Sequence, residues 1–148
     1  MTTRAIPALL ALLALAACDD EGPAGPSVDD VAGVYEAVEI RFVDEDVDRN
    51  LLQEGAFIDL TLHDDGVSEG DVYIPALTGG APLTGDLDGA WEIDGTTIRL
   101  AGVSATFLRD VPFAWDDDGL LRARFFTAEG RLDITLSRGE PIAVGSDR

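Results

Sequence analysis

Residues 56–74, with the sequence AFIDLTLHDDGVSEGDVYI, decide the fold of this chain. In the first half, apolar side chains fall on every second residue, at Ala56, Ile58, Leu60 and Leu62. Mostly polar residues stand between them, and this period-two pattern predicts a strand with one buried face. Asp64-Asp65-Gly66 then predicts a tight turn, and the alternation resumes with Val72 and Ile74. The stretch therefore predicts an antiparallel hairpin.

Similar short runs, separated by Gly, Asp and Pro clusters, continue along the chain on both sides of this hairpin. Strands are predicted at residues 33–43, 56–63, 67–75, 90–93, 96–101, 120–127 and 131–137. Residues 106–115 predict an edge strand or two short pieces because Pro112 interrupts them. Residues 78–89 predict a long loop or a bulged edge. The pattern is typical of an all-β domain, residues 31–138, forming a single antiparallel up-and-down barrel or sandwich of about eight strands.

Two details of this pattern are specific enough to check. In residues 33–43, Val34, Val38, Ile40 and Phe42 share one parity and are expected to form the buried face. Asp94-Gly95 stands between the runs 90–93 and 96–101 and predicts a two-residue hairpin connection.

The N-terminal segment has the features of an export signal. Arg4 precedes a small and apolar run at residues 5–17, which is too short to span a bilayer and ends before the acidic Asp19. The sequence Leu15-Ala16-Ala17-Cys18 resembles the lipobox of bacterial lipoproteins. The resemblance implies that residues 1–17 are removed and that Cys18 becomes the lipidated first residue. The alternative is an ordinary signal peptide that contains a cysteine.

Lipidation implies a location and an anchor. Lipoproteins of this kind carry two or three acyl chains, such as palmitate, and stable anchoring takes at least two. The chain is therefore expected to be exported and held at a membrane of the bacterial cell envelope. The sequence does not distinguish the inner membrane from the outer one. Residues 18–30, CDDEGPAGPSVDD, predict a flexible acidic tether. Residues 139–148 predict a frayed tail.

The charge of the chain limits its partners. It carries 29 acidic residues against 10 basic ones, all of them arginine, for a formal net charge of −19. Nucleic acids and anionic headgroups are recognised through basic surfaces, so neither is expected as a direct partner. An arginine-favouring genome and a salty environment both account for such a composition.

Gly33-Val34-Tyr35 opens the first strand, and the run of hairpins after it resembles a lipocalin, in which this position has Gly-x-Trp. The chain departs from that family in its tyrosine and in having no clear arginine motif near its last predicted strand beyond Arg131 and Arg138. The resemblance implies a lipocalin-like barrel that holds a small apolar ligand, with Tyr35, Trp91 and Trp115 as the candidate contacts. A barrel filled by its own aromatic side chains is the alternative, and it implies a structural or protein-interaction module of the envelope.

Residues for catalysis and for tight metal binding are scarce. His63 and Cys18 are the only histidine and cysteine, so no Cys/His zinc site can be built. His63 stands at the end of a predicted strand on its polar parity, which indicates a surface histidine, so no catalytic triad is expected. Asp44, Asp46 and Asp48 are spaced like the opening of an EF-hand loop. The required glycine and glutamate are missing, since Arg49 and Gly55 stand there. The chain is therefore expected to be no enzyme and to bind no cofactor, with Asp44, Asp46 and Asp48 as weak metal candidates.

Replacing the lipidation residue tests the anchor directly. The Cys18→Ala variant is expected to lose acylation and to leave the membrane fraction, because no other segment of the sequence is long and apolar enough to hold it there. Fractionation and intact-mass measurement check both. A variant that stays uncut and membrane-bound contradicts the lipoprotein interpretation.

Overall fold

The computed structural model describes residues 25–139. In this range, segments in which polar and apolar residues alternate form ten antiparallel strands. The strands are β1 (Gly33–Val43), β2 (Asp48–Asn50), β3 (Phe57–Leu62), β4 (Val67–Ile74), β5 (Leu83–Asp86), β6 (Gly89–Asp94), β7 (Thr97–Ala101), β8 (Phe113–Trp115), β9 (Leu120–Phe126) and β10 (Arg131–Arg138). A single turn, α1 (Val28–Val31), and a 3₁₀ turn at Leu51–Glu54 are helical. Within residues 25–139, no helix is both long and apolar enough to cross a bilayer.

Pairing between β1 and β10 closes the sheet into a barrel. The register runs from Tyr35 opposite Arg138 to Val43 opposite Arg131. Around the barrel the order is β1-β3-β4-β6-β7-β8-β9-β10, so eight strands form the wall, while β2 pairs with β1 and β5 pairs with β4. The predicted all-β, antiparallel up-and-down barrel of about eight strands is confirmed, and closure distinguishes it from a sandwich. The predicted leader, Cys18 and residues 140–148 lie outside the described residues.

A β-bulge in β1 overturns one prediction. The pairing with β10 shifts between Ala37 and Glu39, which leaves Val38 as an extra residue. An extra residue reverses the parity of the side chains that follow it. Tyr35 therefore points inward with Ile40 and Phe42. The shared buried face predicted for Val34, Val38, Ile40 and Phe42 is wrong, because Val34 and Val38 are exposed.

The other boundaries follow the prediction with local differences. The β6–β7 hairpin forms, but Asp94 pairs with Thr97, so its two-residue loop is Gly95-Thr96, with Gly95 at a positive φ of 63°. Within residues 78–89 the chain adds β5, a strand that the prediction took as loop or bulged edge. Residues 106–110 form turns rather than a strand, and Leu108 is buried there.

The helix α1 lies in the segment predicted as tether. Ser27 caps it, because the Asp30 amide donates to Ser27 Oγ while Asp30 Oδ2 accepts from the Ser27 amide, a reciprocal capping box. Val31 is fully buried in the core. Arg138 donates to the carbonyl oxygens of Asp30 and Ala32 and so fastens this helix to the last strand. The folded domain therefore begins a few residues before residue 31.

Four carboxylates form a row across the outside of the barrel. Glu36 lies opposite Asp59, Asp59 opposite Asp71, and Asp71 opposite Asp86 on the four neighbouring strands β1, β3, β4 and β5. All four residues are exposed. Directly opposed like charges destabilise a sheet. Asp86 is partly compensated, because the hydrogen bond from Ser104 Oγ, 2.7 Å from its Oδ2, lowers the pKa of that carboxyl.

Neutralising the middle of this row is expected to stabilise the protein. Asp71→Asn removes two opposed pairs and is expected to raise the free energy of unfolding by about 0.2–1 kcal/mol at low salt. The gain is expected to shrink in 1 M salt, where the screening length falls to about 3 Å. Urea unfolding, which adds no ions, measures both. The control is Asp64→Asn, which removes the same charge from an exposed turn. If Asp64→Asn raises the free energy of unfolding by the same amount, the repulsion arises from net charge and not from the pairing of carboxylates across the strands.

Candidate functional site

Two of the three predicted ligand contacts belong to the core. Tyr35 is fully buried, and its hydroxyl donates to the Val31 carbonyl oxygen at 2.5 Å. Burial raises the pKa of Tyr35, which keeps the hydroxyl protonated as a donor. Trp91 is 6% exposed, and its Nε1 donates to the His63 carbonyl oxygen at 2.8 Å. Both polar atoms are thus satisfied by backbone groups, which leaves neither free to contact a ligand.

Other inward-facing side chains also pack in the core. Large side chains from every side of the wall meet in one hydrophobic cluster that includes Phe42, Ile58, Leu60, Ile74, Ile98, Leu100, Phe113, Leu121 and Leu132, all at most 2% exposed. Eight strands enclose just enough room for such side chains. The arrangement matches the alternative in which the barrel is plugged by its own residues.

Trp115 is the predicted contact that reaches a cleft. It ends β8 and is partly exposed, on an open cleft of about 660 Å³ at the barrel end where α1 meets β10. Its Nε1 is buried and has no hydrogen-bond partner within the described residues. The wall of the cleft also includes Val34, which is 47% exposed. Trp115 and Val34 give the cleft an apolar side.

The rim of this cleft is acidic. Asp29 and Asp30 stand on α1, and Asp117 and Asp118 on the turn before β9, all exposed. Asp30 is committed to the helix cap, where the hydrogen bond from the Ser27 side chain lowers the pKa of its carboxyl. Catalytic acids are usually shielded from water so that their pKa values shift. These exposed carboxylates offer no such pair.

Gly33, Tyr35 and Arg138 come together at the same barrel end. A Cβ on Gly33 would lie 2.5 Å from Arg138 Nε, so the absence of a side chain lets the guanidinium pass over the strand. Arg138 lies opposite Tyr35 in the β1–β10 register. Gly33 and Arg138 both entered the comparison with lipocalins, but they come together only because β1 pairs with β10.

Two of the three predicted metal candidates, Asp44 and Asp48, have carboxylates that bond within the protein. Asp44 Oδ1 accepts from the amides of Asp46 and Val47 at 2.8 and 2.7 Å. Asp48 forms a two-pronged ion pair with Arg41, and that hydrogen bonding lowers the pKa of Asp48. Within residues 25–139, no group of three or more His, Cys, Asp or Glu residues is placed to hold a metal ion.

The single histidine lies apart from these groups. His63 follows β3, with its Nε2 3.2 Å from Glu69 Oε2 and its side chain 40% exposed. This is the surface position at a hairpin end that its parity in the strand indicates. Cys18, the predicted lipidation residue, lies outside the described residues.

Comparison with known proteins adds no assignment to this geometry. No protein-family model matches the chain, and no curated protein matches it either. The packed interior and the outer surface are therefore the features that bear on function.

A conservative change at Tyr35 separates a core role from a ligand role. Tyr35→Phe leaves the buried Val31 carbonyl without its donor and is expected to lower the free energy of unfolding by about 1–3 kcal/mol. Tyr73→Phe is the matched control, because Tyr73 stacks on Phe57 at the outer surface and its hydroxyl makes no hydrogen bond within residues 25–139. Urea unfolding compares the two variants. If Tyr35→Phe is as stable as the native protein, its hydroxyl is not a structural group.

Proposed function

We propose that this protein is a non-catalytic, lipid-anchored component of the bacterial cell envelope whose barrel is a rigid support and whose outer surface binds a partner protein. The observation that carries the proposal is the filled interior. Tyr35 and Trp91, the residues best suited to line a pocket, are buried with their polar atoms bound to backbone carbonyls. A protein of this construction meets its partners from outside.

A hollow carrier is less well supported by the same residues. Small-molecule pockets are commonly about 300–1,000 Å³ in volume and enclose most of their ligand. Admitting such a ligand to this barrel would require moving core side chains, and removing one large aromatic from a core costs about 3–5 kcal/mol. The cleft at Trp115 has adequate volume, but it is open and has four carboxylates on its rim. It therefore does not suit an enclosed apolar ligand.

The anchor rests on the leader sequence, and it fits the position at which the chain enters the barrel. Lipid on Cys18 would lead through the acidic segment to Ser27 and α1. Arg138 holds this helix against the end of β10. The tether would thus enter the barrel beside the closing pair β1–β10.

Native mass spectrometry of the protein, purified without denaturation from its own envelope, tests the proposal. The expected result is the mass of the chain with its covalent lipid and nothing else, because buried side chains pack across the inside of the barrel. The denatured sample is the control, since covalent lipid survives unfolding and a bound molecule does not. A reproducible extra mass that disappears on unfolding overturns the filled-barrel proposal and identifies a carrier.

A further inference from the structure

Positive charge is concentrated on one outer face of this acidic protein. Arg41, Arg122, Arg124 and Arg131 stand on the neighbouring strands β1, β9 and β10. They line an open groove of about 470 Å³, here called the arginine groove, with Glu39, Ala123, Asp133, Ile134 and Thr135. The four arginines form ion pairs with Asp48, Asp116 and Asp133, and Glu39 also lines the groove. Arginines and carboxylates are therefore equal in number here, in a chain whose formal net charge is −19.

Other arginines have evident structural tasks. Arg109 donates to the Val103 carbonyl oxygen at 2.8 Å, and Arg138 donates to that of Asp30 at 2.9 Å. Arg49 donates to the Leu77 carbonyl oxygen and pairs with Glu54. These bonds tie loops and the N-terminal helix to the barrel. The arginines of the groove instead bond to acidic side chains on the surface of the sheet.

The register explains how the groove is held together. Asp133 on β10 lies between Arg124 on β9 and Arg41 on β1. It is 18% exposed, and its two oxygens accept from Arg124 Nε at 2.6 Å and Arg131 Nε at 3.0 Å. One carboxylate at the floor therefore orients guanidinium groups from two strands, which is the kind of support that pre-organises a binding surface.

Two of these guanidinium groups retain unused donors. Arg124 bonds to Asp133 through Nε, and Arg122 bonds to Asp116 through Nε at 3.1 Å. Within the described part of the chain, their terminal nitrogens make no hydrogen bond, and their side chains are 53% and 64% exposed for Arg122 and Arg124. A planar guanidinium with free terminal nitrogens matches the geometry of a carboxylate.

The spacing of these two arginines selects a kind of anion. Arg122 and Arg124 are two residues apart on the outer face of β9, so their Cα atoms stand about 6–7 Å apart along the strand. A partner peptide in extended conformation repeats its own side chains on one face at the same interval. Acidic residues at alternate positions of such a peptide would therefore reach Arg122 and Arg124 together.

The charge of the whole protein disfavours large polyanions as occupants. A membrane surface or a nucleic acid would bring its negative charge against many carboxylates besides the groove. A short segment with a few acidic residues stays near the four arginines. At physiological salt the remaining charges are screened over about 8 Å.

We propose that the arginine groove binds a short, extended acidic segment of a partner protein, with alternate carboxylates on Arg122 and Arg124. This inference deepens the proposed function and rests on it, because it names the part of the outer surface and the chemistry of the partner.

Binding of a defined peptide to the full chain tests the groove. The probe is a fluorescent eight-residue peptide of alternating glutamate and threonine, measured by anisotropy at 20 and 200 mM salt. Binding is expected to weaken with salt, and Arg122→Gln or Arg124→Gln is expected to reduce the affinity about tenfold each, because each loses charge-assisted hydrogen bonds. Arg99→Gln is the matched control. Arg99 is partly exposed and is ion-paired with Asp94, but it stands on β7, away from the groove. Its replacement is therefore expected to leave the affinity unchanged.

Three results overturn the inference. The first is that the peptide does not bind at low salt. The second is that the peptide binds equally well to the native protein and to folded Arg122→Gln and Arg124→Gln variants. The third is binding of inorganic phosphate or phosphatidylglycerol vesicles in place of the peptide, which assigns the groove to a free anion or to the membrane. Circular dichroism and urea unfolding verify that each variant is folded. If the peptide does not bind, the groove inference is wrong but the filled-barrel proposal still stands. If native mass spectrometry detects a noncovalently bound molecule, the proposed function is wrong whether or not the peptide binds.

Discussion

The pairing of β1 with β10 is the constraint on which the rest of the structure depends. It joins the first long strand of the described chain to the last one, over a register from Tyr35 to Val43. Without it, both strands would expose unpaired backbone groups, which are prone to pair with other chains. Closure also fixes the wall at eight strands, a size at which a barrel is filled by side chains or holds one small ligand. In this barrel, buried apolar side chains pack across the inside. The anchoring of α1 by Arg138 and the arginine groove both lie on this seam.

The bulge at Val38 reconciles two demands on β1. Tyr35 must point inward to bond the Val31 carbonyl, and a regular alternation from Tyr35 would also send Glu39 and Arg41 inward. Burying those charged groups in an apolar barrel would cost several kcal/mol each. One extra residue turns them outward and brings Ile40 and Phe42 into the core. The same irregularity therefore protects the core and places two charged residues in the groove.

Local alternation was enough to predict most strands and the barrel, because period two in residues 56–74 or 131–137 reflects one buried face directly. It could not reveal the bulge, because the exposed Val34 and Val38 are apolar and share the parity of Ile40 and Phe42. Trp115 is a candidate ligand contact simply because it is a large aromatic residue. Arg122 and Arg124, in contrast, look in the sequence like part of an ordinary polar strand face. Their significance comes from Asp133 and Arg41, which lie beside them only after β9, β10 and β1 pair. Long-range register is the information that one short run of sequence does not contain.

Register also determines where the acidity of the chain is tolerated and where it is opposed. On β3, β4 and β5, Asp59, Asp71 and Asp86 lie opposite one another, and Asp86 alone among these three has a hydrogen-bond donor for its carboxylate within residues 25–139, from Ser104. On β9 and β10, Asp133 lies opposite Arg124 and serves as an internal counterion for Arg124 and Arg131. Solubility alone requires only net charge and no such arrangement. A groove that gathers scarce arginines around one partly buried carboxylate, while leaving terminal nitrogens free, is better explained by recognition of an anion than by solubility.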